Sequence, residues 1–265
     1  MLSRELASFA RQINYLCPER YVSGRITEYD IKQANINILL RSETIDRTEY
    51  DYLQSIPKQQ REIIIGKKIK EDKSIDKVIK KGISDCKVAL FDTNNIRSYE
   101  VIRIANDAVY INRVNPLNIT KFDNVEFVPK SISNTYLKLR DLLFFINYEN
   151  NNINVDIKGL GDNYDIHQPI ISLIVNTVYD LEFNGVKSAI SQLQNIIDDY
   201  INKRLGIEYY REFNVRASYH VINTPFYLST LDYLRDEIDI NYNLFMLREL
   251  LSILYENYTS NYRKL

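Results

Sequence analysis

Tryptophan is absent from this 265-residue sequence, and glycine occurs only 7 times. Cysteine and histidine are scarce, at 2 each. Cys17 and Cys86 are too few for a disulfide framework or a cysteine-built zinc site. His167 and His220 stand alone, so any metal chemistry must rest on carboxylates. Neither sign of charge dominates: 34 Lys+Arg meet 35 Asp+Glu, a formal net charge of -1. That balance removes any bulk electrostatic argument for nucleic acid or a membrane surface. Long apolar runs are missing too. The longest, Pro169 to Val175, is too short to span a bilayer. The opening Met1-Leu2-Ser3-Arg4-Glu5 is too polar for a secretory signal. The expectation is a soluble cytoplasmic protein with no membrane partner.

What is present is an ordinary globular balance, 45% hydrophobic and 26% charged, which excludes disorder and collagen-like structure. The excess lies in 36 Ile, 27 Asn and 21 Tyr. These residues share AT-rich codons with Lys. The bias points to a genome such as that of a phage, a virus or a low-GC bacterium.

Hydrophobic spacing divides the chain. Leu2, Leu6, Phe9, Ile13 and Leu16 predict a short helix stopped at Pro18. Residues 21–31 are rich in β-branched and aromatic side chains and predict a strand. Gln33 to Leu40 predicts a helix, and residues 43–92 read as mostly helical, dense in Lys from Lys58 to Lys81. Two β-type runs, 101–105 and 108–114, then flank Asn106-Asp107, a pair that tolerates the backbone of a tight hairpin. Short strands are expected at Val125–Val128, Leu142–Tyr148 and Asn154–Lys158, the last two joined by an Asn150–Asn152 turn. After Gly161 four helical stripes follow, anchored by Ile170, Val186, Leu228 and Leu244. The expected class is α+β: a mixed domain over 1–160 and a mainly helical domain over 161–265.

Two carboxylates stand out. Asp30 ends the strand of residues 21–31, where Asp also serves as a helix N-cap. Asp107 sits at the hairpin tip, where it also suits a turn. If the hairpin lies beside the Asp30 strand, both acids project at one sheet edge, within the roughly 6 Å that shared metal ions require. Hard oxygen ligands of this kind suit Mg²⁺ or Mn²⁺.

The segment Asp30-Ile31-Lys32-Gln33-Ala34-Asn35 resembles motif A of right-hand template-dependent nucleic-acid polymerases of the DNA polymerase I type. Asn106-Asp107-Ala108 resembles their motif C hairpin, with Asn and Ala in place of the usual His and Glu. The resemblance covers roughly residues 21–115. Seventy-seven residues separate the two acids, a spacing suited to a compact palm with a short fingers insertion at about 43–98.

The resemblance implies a palm-like antiparallel sheet and catalysis by Asp30 and Asp107 as metal ligands. It places Gln33 and Asn35 at the nucleotide, with Asn35 in the sugar-gate position and Arg41 further along. Arg61, Lys67, Lys68, Lys70 and Lys73 become candidates to hold a triphosphate. Residues 161–265 take the thumb's place, with Tyr209, Tyr210 and Arg211 against nucleic acid. The implied cofactor is Mg²⁺ (or Mn²⁺). The implied partners are primer–template nucleic acid, nucleoside triphosphates and other replication subunits, in a bacterial host's cytoplasm if the chain is phage-encoded.

Two other classes compete. A metal-dependent nuclease would use Asp156-Ile157-Lys158, with Asp141 upstream. A non-catalytic phage or viral structural or interaction protein, or a degenerate palm, would use the helical half as a partner surface. Separation of Asp30 from Asp107 would favour this last class.

Overall fold

In the computed structural model, which describes residues 3–149, 152–160, 164–210 and 242–262, the chain is α+β and its packing divides it into two units. The first comprises residues 1–18 and 23–134, the second residues 19–22 and 135–265. The division falls inside a strand, upstream of the boundary expected near 160. The later strands therefore pack with the helices that follow them.

In the first unit, α1 (Arg4–Ala10) is capped by Ser3, whose hydroxyl accepts from the Leu6 amide. A short strand β1 (Asn14–Leu16) follows, where helical spacing had predicted continued helix. β2 (Tyr21–Ile31) leads into α2 (Ala34–Arg41), α3 (Arg47–Ser55), α4 (Lys58–Glu71) and α5 (Ser74–Thr93). The hairpin of β3 (Val101–Ala105) and β4 (Ala108–Asn112) forms as expected. After the small β5 (Lys121–Phe122), β6 (Val125–Leu139) runs far past the four residues read as strand. Pro129 hid the continuation, because proline lacks the ladder donor and demotes a run in any sequence reading. The strand order in this unit is β1-β3-β4-β2-β6.

Alternation sorts the side chains of β2 and β4. Tyr29, Ile31, Val109 and Ile111 join Ile38, Cys86, Leu90 and Phe91 in one core between sheet and helices. Glu28 and Asp30 take the opposite face, since successive strand residues alternate. A second core of Ile36, Leu39, Leu53, Ile65 and Ile79 ties α2 to α3, α4 and α5. α2 thus serves two cores with adjacent faces.

In the second unit, β6 from Thr135 pairs with β7 (Leu142–Glu149), and β7 with β8 (Asn152–Lys158), all antiparallel. Helices α6 (Tyr164–Phe183), α7 (Val186–Ile201) and α8 (Tyr242–Tyr262) bury Ile170, Ile174, Leu193, Leu247 and Leu254 against Leu137, Phe144 and Ile146. The expected stripe around Leu228 lies outside the described residues. Among the described residues no helix is long and apolar enough to cross a membrane.

One of the few glycines marks a close approach. A Cβ placed on Gly82 of α5 would stand 2.3 Å from Ile38 Cγ2 of α2, and Ile38 is buried in the core. Gly82→Ala should therefore destabilise the first unit by about 1–3 kcal/mol, the cost of overpacking, despite alanine's better helix propensity. Thermal denaturation checks this. A melting temperature at or above wild type would show that α2 and α5 tolerate a methyl group between them.

Candidate active site

The hairpin turn is two residues long, because Ala105 and Ala108 are partners. Asn106 adopts the left-handed backbone, φ 51°, that asparagine tolerates better than most residues. Asp107 follows at the tip. β4 then pairs with β2, with Asp30 opposite Ala108. The Ile31 amide donates to the Asp107 carbonyl at 3.4 Å. Asp30 and Asp107 therefore stand at the same end of two paired strands, and both line a cavity of about 360 Å³.

The turn after β2 forms the next wall. Gln33 sits in the left-handed region at φ 49°, ψ 47°, an uncommon conformation for a residue of its kind. Gln33 and Asn35 both line the cavity. The Asn35 amide donates to Glu62 Oε2 at 2.9 Å. A further wall comes from α4, with Lys58 and Arg61 in its first turn and Glu62 just beyond it. Arg61 is only 7% exposed, yet its guanidinium has no hydrogen-bond or ion-pair partner among the described residues. No Arg61 nitrogen is among the fully buried polar atoms that lack a partner in the described residues, so the guanidinium keeps its contact with solvent.

The electrostatics follow from burial. Desolvation pushes the Asp107 carboxyl above its ordinary value, and the Asp30 charge pushes it further; Lys130 and Lys58 pull it down. Lys130 of β6 reaches Glu28 Oε1 at 3.3 Å and Asp30 Oδ2 at 3.5 Å. Its own proton is held more tightly, chiefly because of Glu28. Glu28 is buried and also accepts from the Ser131 hydroxyl at 2.9 Å. Behind the turn lies Lys87 of α5, 1% exposed. Its ammonium donates to the Gln12 carbonyl and to the Asn106 carbonyl, the latter at 3.2 Å. Burial lowers the Lys87 pKa to about 8, against the pull of Asp107.

The expected site residues separate clearly. Asp30, Asp107, Gln33, Asn35 and Arg61 come together around one cavity. Lys67, Lys68, Lys70 and Lys73 do not line it; Lys68 pairs with Glu49 at 2.6 Å. Arg41 pairs with Asp123 at 3.1 Å, also away from the cavity. In the second unit Tyr210 is a core residue, 2% exposed, stacked on Tyr200 at 4.7 Å and donating to the Tyr200 carbonyl. Tyr209 is half-buried against the same core, and Arg211 lies outside the described residues. Asp156 is taken up by its own Lys158 at 2.6 Å.

Sequence reasoning passed over Lys58, Glu62, Glu28, Lys130 and Lys87. Only Lys58 carried a local signal, since it shares a helix face with Arg61 three residues on.

Among the described residues no group of three or more His, Cys, Asp or Glu is placed to hold an ion. Two carboxylates nonetheless fit Mg²⁺, which is commonly held by one or two carboxylates and completed by water and substrate phosphates.

The chain is thus an α+β protein with two acids at paired strand ends that share a cavity with the cationic start of a helix. Residues 9–256 match the family model described as Bacteriophage PBS1 gene 130 protein, and the chain belongs to that phage protein family. No curated protein matches it.

Lys87 yields a pH test. The folded lysine gives up its proton near pH 8, whereas an unfolded one holds it to about 10.5. The unfolded state therefore binds more protons between these values, and stability gains with rising pH there. Measured against Lys87→Met, wild-type stability should rise from pH 8 to 10.5. Denaturant melts at several pH values would show parallel curves if the lysine were solvated.

Proposed function

We propose that this chain is a template-dependent nucleotidyltransferase, DNA polymerase-like, that adds nucleotides to a primer 3′-hydroxyl. One observation carries the reading: Asp30 and Asp107 share a cavity with Arg61, a largely buried residue whose guanidinium has no partner among the described residues. The order of elements supports it as well. A strand ending in an acid runs into helices, and an acid-tipped hairpin returns beside that strand.

In this reading Asp30 and Asp107 are the ligands for Mg²⁺ (or Mn²⁺). Such an ion, when bound, activates the attacking hydroxyl and stabilises the leaving pyrophosphate. Arg61 and Lys58 hold the triphosphate, with charge aimed at oxygens where negative charge develops. Gln33 and Asn35 border the nucleotide, and the Asn35–Glu62 hydrogen bond fixes the amide beside the sugar. Lys87 anchors the turn that presents Asp107. The partners are primer–template nucleic acid, nucleoside triphosphates and other replication subunits, in the cytoplasm of a bacterial host.

A second reading, a palm without activity, is favoured by the Lys130–Asp30 ion pair, which already occupies one of the two carboxylates.

Primer extension with labelled nucleotides and Mg²⁺ or Mn²⁺ decides between them. Wild type should extend the primer, and Asp107→Asn should lose at least about 10²–10³-fold of that activity, the scale of a lost electrostatic stabiliser. Its melting temperature should hold or rise, because the substitution relieves burial of a charge and repulsion from Asp30. Full activity in Asp107→Asn, or no extension by wild type under either metal, would sink the proposal.

A further inference from the structure

Behind the cavity runs a chain of side-chain hydrogen bonds whose direction is set at one end. The Lys32 carbonyl can only accept, and Asn37 donates to it through Nδ2 at 2.6 Å. Asn37 must then present Oδ1 on its other side. That oxygen accepts the Tyr50 hydroxyl at 2.7 Å. A tyrosine has one proton, now committed, so its oxygen can only accept from Gln54, whose Nε2 lies 2.6 Å away. The same Gln54 nitrogen faces Gln33 at 3.2 Å and must meet Oε1. The Gln33 Nε2 is thereby left on the side away from Gln54. Gln33 lines the cavity, and its backbone is held in a left-handed conformation at the same point.

We infer that Tyr50 is a positioning residue. Its hydroxyl fixes the polarity of this chain so that Gln33 offers an N–H donor, and not a carbonyl oxygen, to a phosphate oxygen in the cavity. The inference rests on the nucleotidyltransferase reading for the identity of the ligand. The direction of the chain does not depend on it. Without the tyrosine proton, Gln54 and Gln33 can both rotate by half a turn at little cost, and a Gln33 oxygen facing a phosphate repels it. With the chain intact, Gln33, Lys58 and Arg61 together offer donors to the ligand. Tyr50 itself is buried, belongs to the α3 core and does not line the cavity. Tyr50→Phe keeps its ring packing and removes only the hydroxyl.

The test is a double-mutant cycle read by calorimetric titration of inorganic tripolyphosphate in the presence of Mg²⁺. Gln33→Ala should weaken binding by about tenfold, the scale of one hydrogen bond to a charged ligand. Tyr50→Phe should weaken it by about threefold, a partial loss of the same bond. The double variant should match Gln33→Ala alone, because Tyr50 acts only through Gln33 and coupled sites do not add. A purely structural tyrosine would give multiplied losses. If Tyr50→Phe fails to fold, Gln54→Met at an exposed position takes its place in the cycle. Additive losses, or a folded Tyr50→Phe with wild-type affinity, would overturn the positioning role and leave the functional reading standing. A wild-type protein that binds no tripolyphosphate would overturn both.

Discussion

The register of β2 against β4, with Asp30 opposite Ala108, is the constraint on which the candidate site depends. Side chains alternate along a strand, so a slip of one residue would turn Asp30 into the core and Tyr29 out of it. Tyr29, Ile31, Val109 and Ile111 prevent that slip by packing in one core, each worth roughly 1.5–3 kcal/mol of burial. Tyr29 is also pinned, because its hydroxyl accepts from the Leu117 amide at 3.0 Å. Against this stands only the repulsion of the two acids, the Asp30 charge pushing the Asp107 carboxyl up. Apolar packing on one face therefore wins, and it holds two acids together on the other.

Local signals in the sequence were legible where neighbours along the chain make the structure. The strand ending in Asp30, the helix after Gln33 and the two-residue turn at Asn106-Asp107 all depend on spacing within about ten residues, which periodicity and turn chemistry report directly. The pairing of β2 with β4 entered only as a supposition, since nothing local specifies which strands meet. What stayed hidden is what the fold brings from afar. Lys87 serves a turn reached across a helix, and Lys130 lies beyond a proline on a strand that read as ending at Val128. Glu28 looked like an ordinary polar strand residue, because burial of a charge shows only when its partners Lys130 and Ser131 are in place.

These hidden residues bear on how the site is sustained. Local consistency breaks at Asp107, Lys87, Glu28 and Arg61, each a charged group with much of its water removed. Such conflicts are expected at functional sites, where the surrounding structure must over-determine what propensity alone would not allow. The compensations are unequal. Glu28 has an ion pair and a hydroxyl donor, and Lys87 has two carbonyls. Arg61 has none of these among the described residues, and its remaining solvent contact takes their place.

The lysines that do not line the cavity sharpen the same point. The resemblance made Arg61, Lys67, Lys68, Lys70 and Lys73 candidates to hold a triphosphate, but α4 has two ends of opposite character. Its first turn contains no acid, and Pro57 offers no side-chain cap. The positive end of the helix dipole is the end that carries Lys58 and Arg61, both of which line the cavity. Lys68 and Lys70 occupy the last turn, where cations complement the negative end of the dipole and the unpaired carbonyls. Composition cannot distinguish a lysine that stabilises a helix from one that awaits a ligand. The helix boundary at Pro57 shows which cations lie at the positive end of the dipole and which lie at the negative end, where they add stability.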